Sequence, residues 1–108
     1  MTVTTLTNAE DRIASWALGT EGGKSSLACA ELYWTLSADG PGFSLGRILA
    51  SLDAERTAWA RDAFGLLCAG QWTGRHRAAI AAAYPTLVEH HSALNDANRT
   101  IRRQIEAA

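Results

Sequence analysis

The stretch Thr86-Leu-Val-Glu-His-His-Ser-Ala-Leu-Asn-Asp-Ala-Asn-Arg-Thr-Ile-Arg-Arg-Gln-Ile-Glu-Ala-Ala108 decides how the whole chain is read. Thr86 and Glu89 have the T-x-x-E spacing of a capping box, in which each side chain satisfies an amide at a helix start. Pro85 stands just outside it, where it cannot extend the preceding segment. Leu87, His91, Leu94, Asn98, Ile101 and Ile105 then recur at alternating steps of four and three, which places them on one stripe of one long helix. Four of the six are aliphatic; His91 and Asn98 are polar. The other side carries Glu89, His90, Asp96, Arg99, Arg102, Arg103 and Glu106. An amphipathic helix of this length needs a surface to lie against.

Working outward, the rest of the chain supplies that surface from shorter helices. Hydrophobic residues make up 47% of the 108, and abundant alanine with few β-branched residues favours helix over strand. Helix 1 is expected from Asn8 to Leu18, capped by Thr7 with Glu10, with Ala9, Ile13, Trp16 and Ala17 inward and Gly19 as a left-handed stop. Helix 2 is expected from Ser26 to Leu36, capped by Ser25, with Leu27, Ala30 and Trp34 on one face. After the Gly/Pro break at 37–43, Ser44 caps helix 3 (Leu45–Leu52; Leu45, Ile48, Leu49 and Leu52 inward). Asp53 caps helix 4 (Ala54–Cys68; Trp59, Ala63, Leu66 and Leu67 inward; Glu55, Arg56, Arg61 and Asp62 outward). Asp53 alone separates helices 3 and 4, which otherwise read as one bent helix. Helix 5, Arg75–Tyr84, carries Ile80 as its one large aliphatic. The expectation is a single all-α domain: a compact bundle of five to six helices joined by short loops, with a long C-terminal helix and residues 1–6 frayed.

Charge and cysteine content exclude several classes. The formal net charge is −1, so the chain as a whole has no pull toward nucleic acid or anionic membrane. Residues 1–62 carry five Lys/Arg and eight Asp/Glu, whereas residues 63–108 carry five Arg and three acids. One acidic and one basic face are therefore expected. Cys29 and Cys68 stand alone inside helices and read as reduced, buried and inert. The beginning of the chain lacks the pattern of a signal peptide, and no apolar run reaches the ~20 residues of a membrane span. A cytoplasmic protein is the expectation.

No constellation in the sequence carries catalysis. The Gly22-Gly-Lys-Ser-Ser26 loop resembles a phosphate cradle, but a Walker A loop needs four residues between its first glycine and the Gly-Lys pair, and Gly19 and Gly23 bracket three. His76, His90 and His91 lack the i, i+4 partner that a helical metal site needs. No cofactor, metal or catalytic residue is expected. Three surfaces remain. The acids Glu21, Glu31, Asp39, Asp53, Glu55 and Asp62 belong to the acidic part of the chain. Trp72, Arg75 and Arg77, with Arg99, Arg102 and Arg103, form the alternative basic patch for phosphate or an acidic protein. The stripe Leu87, His91, Leu94, Asn98, Ile101 and Ile105 reads either as a dimer seam, with His91 and Asn98 at coiled-coil a positions, or as a face packed within the chain.

Two stretches carry a resemblance: Trp16-Ala-Leu-Gly19 leading through Gly23 to Ser25-Ser26, and Phe43-Ser-Leu-Gly-Arg47 leading into Leu49. Their order is similar to that in small helical proteins of proteobacterial phages and prophages. Those have a short first helix, a G-x-S-S helix opening, a polar break, and Phe-Gly-Arg before apolar residues. Here Ser44 and Leu45 separate Phe43 from Gly46-Arg47, and the resemblance covers residues 8–67. It implies a phage accessory protein. Its implied function is non-enzymatic: binding and blocking a host defence complex, as anti-CRISPR proteins do to a Cas effector subunit, with the acids as the contact. The stripe and the lack of a long apolar run lead to the expectation of a monomer or homodimer without membrane association. The alternative is a small dimeric helix-turn-helix-like DNA-binding regulator, with Arg75, His76 and Arg77 leading its recognition helix; the near-zero net charge weighs against it.

Overall fold

The computed structural model describes residues 8–19, 23–37 and 43–107. Thr7, Glu21, Asp39, the frayed segment expected at 1–6 and part of each Gly-rich break lie outside the described residues. The described chain is all-helical: α1 (Ala9–Leu18), α2 (Lys24–Ser37), α3 (Leu45–Ala50), α4 (Ala54–Cys68), α5 (Arg77–Ala83) and α6 (Pro85–Ala107). The six-helix bundle with a long last helix is as the sequence pattern predicts. α1 packs against α2, α4 and α5; α2 packs in turn against α3, α4 and α5; α6 packs against α5.

Small residues make that arrangement close. Ala14 and Ala17 of α1, Ala28 and Ala30 of α2, and Ala60 and Ala63 of α4 are all buried, with Ile13, Leu32, Tyr33, Ile48 and Ile80 filling the space between helices. Asp53 does separate α3 from α4: its carboxylate accepts the Arg56 amide at 2.9 Å, the N-cap bond a new helix needs. Ser44 caps α3 in the same way, at 3.4 Å to the Arg47 amide.

Several local expectations are corrected. α1 is capped by Asn8, whose side chain accepts the Asp11 amide at 3.0 Å while Asp11 accepts from Asn8. Glu10 takes no part in the cap, because its carboxylate is claimed inside the protein. α2 begins at Lys24, so Ser25 lies within it. The Ser25 hydroxyl accepts the Trp16 indole N–H at 2.9 Å, and Ser26 donates to the Trp16 carbonyl at 2.9 Å. These bonds fasten the end of α1, and Gly19 leaves it extended rather than left-handed. α5 begins at Arg77, with Arg75 and His76 in the turn before it. α6 begins at Pro85, not Thr86; a proline at the first helical position gives up only an N–H that would be unpaired there. Thr86 is therefore inside the helix and caps nothing.

The inward faces are narrower than expected. Leu27, Leu45, Leu49 and Leu67 are exposed. Arg56 does not face water: its side chain is largely covered, with the guanidinium 3.6 Å above the Trp16 ring and 4.8 Å from that of Trp59. Cys68 is exposed and only Cys29 is buried; burial pushes the Cys29 thiol up to about 11. Among the described residues no helix is long and apolar enough to cross a membrane.

Candidate protein-binding surface

The stripe of α6 divides in two. Leu87 and His91 are buried against the bundle. The His91 ring meets Trp34 edge-on at 6.2 Å and Phe43 at 5.8 Å, so it packs as a flat ring among aromatics, with its Nε2 buried and given no hydrogen bond by the described residues. Beyond His91 no residue of α6 is buried. Leu94 is 38% exposed, Ile101 53% and Ile105 69%; Asn98 is exposed between them. The reading of a face packed within the chain thus holds for Leu87 and His91, and the rest of the stripe is left exposed.

Beside the anchored half lies an open groove of about 720 Å³. Leu27 and Glu31 of α2, Phe43 and Ile48 at α3, and Leu87, His90 and Leu94 of α6 line it. Its lining is mostly apolar, with Glu31, Arg47 and His90 among it. Burial pushes the Glu31 carboxyl up, and the neighbouring Arg47 and His90 only partly oppose that. Leu27, 45% exposed, extends the apolar lining to the surface.

The charged candidates do not gather on one face. Among the acids, Glu31 lines the groove. Asp53 and Glu55 share the Arg56 guanidinium, at 3.1 and 3.3 Å. Asp62 stands exposed two turns beyond Glu55 on α4. The basic candidates are split as well. Trp72 packs on Tyr33 at 4.9 Å and donates to Ser37 at 2.9 Å. Arg75 pairs with Asp11, and the Arg77 guanidinium lies 4.9 Å over the Trp34 ring. Arg99, Arg102 and Arg103 are on the exposed half of α6, where Arg102 pairs with Glu106 at 3.3 Å.

The feature that sequence reasoning missed is a buried polar hub. Glu10 is 0% exposed. Its carboxylate accepts from the Tyr33 hydroxyl (2.7 Å), the Thr73 amide and hydroxyl (both 2.9 Å) and the Gly74 amide (2.7 Å). Burial opposes its ionisation, but these four donors outweigh burial and hold its pKa below the ordinary carboxylate range. Beside it, Asp11 lies 2.7 Å from the His76 Nε2 and pairs with Arg75. Its carboxyl is also lowered, with burial opposing and the His76 and Arg75 bonds prevailing. The hub ties the α4–α5 loop to α1 and α2, and Gly74, at φ +71°, takes the left-handed turn that aims its amide at Glu10. An Asp–His pair invites comparison with a catalytic dyad, but both hydroxyls in this network are engaged: those of Tyr33 and Thr73 donate to Glu10, and they accept from the His76 amide and from Arg75 respectively. These bonds fasten the loop to α1 and α2. Among the described residues no group of three or more His, Cys, Asp or Glu stands together as a metal site.

Comparison with protein-family models, curated proteins and solved structures finds no match to this chain.

Proposed function

We propose that this chain is a non-enzymatic binding protein of a phage or other mobile element that blocks a host defence complex, a CRISPR effector of the Cas type, by covering a surface that the complex needs. The observation that carries a binding role is the distal half of α6. It holds Leu94, Ile101 and Ile105 in helical register outside the bundle. Exposed apolar side chains in such a row mark a surface for another polypeptide. The resemblance of residues 8–67 to phage proteins supplies the defence context. The exposed carboxylates of Glu55 and Asp62 are the groups suited to a basic, nucleic-acid-receiving surface on the target.

The DNA-binding reading draws less support. Arg75 and Arg77 are engaged by Asp11 and Trp34, and the seven-residue α5 they introduce is short for a recognition helix. The test is phage plating on bacteria with active CRISPR interference, with and without the chain expressed. Restored plaquing against at least one effector type, lost in the Ile101→Asp/Ile105→Asp double variant, supports the proposal. Failure to protect against every effector type, with the chain soluble and expressed, sinks it. Salt-steep retention of duplex DNA in the same preparation would favour the regulator instead.

A further inference from the structure

We infer that the uncovered half of α6 pairs with the same helix of a second copy, antiparallel about a two-fold axis between Leu94 and Asn98, so that Ile101 and Ile105 of each copy enter the other's groove between α2, α3 and α6. This rests on the reading of distal α6 as a surface for another polypeptide, here a second copy, and leaves the exposed Glu55 and Asp62 to meet the host target.

One helix carries both halves of a complementary pair. Its first half borders an open groove lined by Leu27, Phe43, Ile48 and Leu87; its second half carries apolar side chains that are exposed among the described residues. The lengths agree. From Leu94 to Ile105 the helix rises about 16 Å, and the groove follows α6 from Leu94 back to Pro85, about 13 Å. An antiparallel pairing sets Leu94 against Asn98 of the second copy, Ile101 at the level of His91, and Ile105 at the level of Leu87. Because Leu87 and His91 already face their own bundle, the incoming isoleucines meet the open wall beside them, where Leu27 and Phe43 stand. A two-fold axis makes both contacts at once, as an isologous interface requires.

Charge selects the same direction. A parallel pairing would place Arg99, Arg102 and Arg103 beside their own copies and leave the groove empty. The antiparallel pairing carries Arg102, which flanks Ile101 and Ile105 on the helix surface, to the level of His90, where Glu31 lines the groove beside Arg47. Glu31 then gains a cation from the second copy, while the arginines of the two copies stay at opposite ends.

Helix propensity adds a third argument. The exposed half contains Asn95, Asp96, Asn98 and Thr100, all weak helix formers. A helical segment of this length without packing is marginal in water, so its regularity calls for a cover.

The test uses the full chain. Sedimentation velocity across a concentration series should give a species of about twice 11.6 kDa, and Ile101→Asp/Ile105→Asp should return it to monomer with its far-UV dichroism kept. Leu27→Arg, on a different helix, should do the same. Direction is read by disulfide trapping in a Cys68→Ser background. Leu94→Cys mixed with Asn98→Cys should cross-link, and Ile101→Cys alone should not. A monomer at ~100 µM overturns the pairing, and so does self-cross-linking of Ile101→Cys. Neither result touches the binding role, because a monomer that still restores plaquing through Ile101 and Ile105 would place the target itself on the stripe.

Discussion

Replacing Glu10 should cost as much as truncating a large core residue, although a first-turn glutamate looks expendable. In Glu10→Ala, four donors lose their acceptor: the Tyr33 hydroxyl, the Thr73 amide and hydroxyl, and the Gly74 amide. Each buried donor left unpaired costs about 1–3 kcal/mol. The four share one site and do not add, so the expected loss is roughly 3–5 kcal/mol, a large part of the ~5–15 kcal/mol by which a domain of this size is stable. Glu10→Gln keeps the shape but points an NH2 group at other donors and removes the charge that strengthens every bond. It should lose about 2–4 kcal/mol. Tyr33→Phe removes one donor and should lose about 1–2 kcal/mol. The assay is urea unfolding followed by far-UV dichroism, with stability taken by linear extrapolation. The order Ala, Gln, Phe is the signature. A loss under about 1 kcal/mol in Glu10→Ala would refute the reasoning, because it would mean that the α4–α5 loop is not held by this carboxylate.

Three further outcomes follow from the same contacts. Glu10 and Asp11 titrate lower in the folded chain than in the unfolded one, where the ordinary values are about 4.3 and 3.9. The unfolded chain therefore takes up more protons on acidification. Their contribution is complete above about pH 5 and is lost as the pH falls through the lowered folded values. Urea midpoints from pH 6 to pH 3 should fall steeply in wild type and less steeply in Glu10→Gln. Arg56→Ala should lose about 1–2 kcal/mol by removing the guanidinium from Trp16 and Trp59, and should change tryptophan emission; Arg56→Lys should recover little. A thiol reagent at neutral pH should label Cys68 quickly and Cys29 only on unfolding, read by mass spectrometry.

The helices were legible in the sequence because their signals are local. The alanine-rich runs, the Ser44 and Asp53 caps and the stripe of α6 each depend on residues within a few positions of one another. Glu10 was not, although a trace of it was there. It occupies the same i, i+3, i+4, i+7 row as Ile13, Ala14 and Ala17, a position that buries whatever stands on it. What rescues a carboxylate there is a loop more than sixty residues away, and no local pattern announces that. Arg56 differs: it stands three, four and seven residues before Trp59, Ala60 and Ala63 on the inward row of α4, so its position is legible and only its charge points outward; Trp16 and Trp59 offer a covered place for a flat cation. The division of the α6 stripe was equally hidden, because the repeat continues unchanged past His91 while the bundle beneath it ends.

The proposed pairing requires that α6 beyond His91 be covered by a second copy and not by its own bundle. Hydrogen exchange of the full chain at two concentrations, one far below and one far above the association midpoint, tests it most directly. Amides of residues 94–107 should exchange quickly in the dilute sample and slow at least tenfold in the concentrated one, while those of α1 and α2 stay equally protected in both. Protection of residues 94–107 that matches the core at every dilution would contradict the account, because the helix would then be held by its own chain.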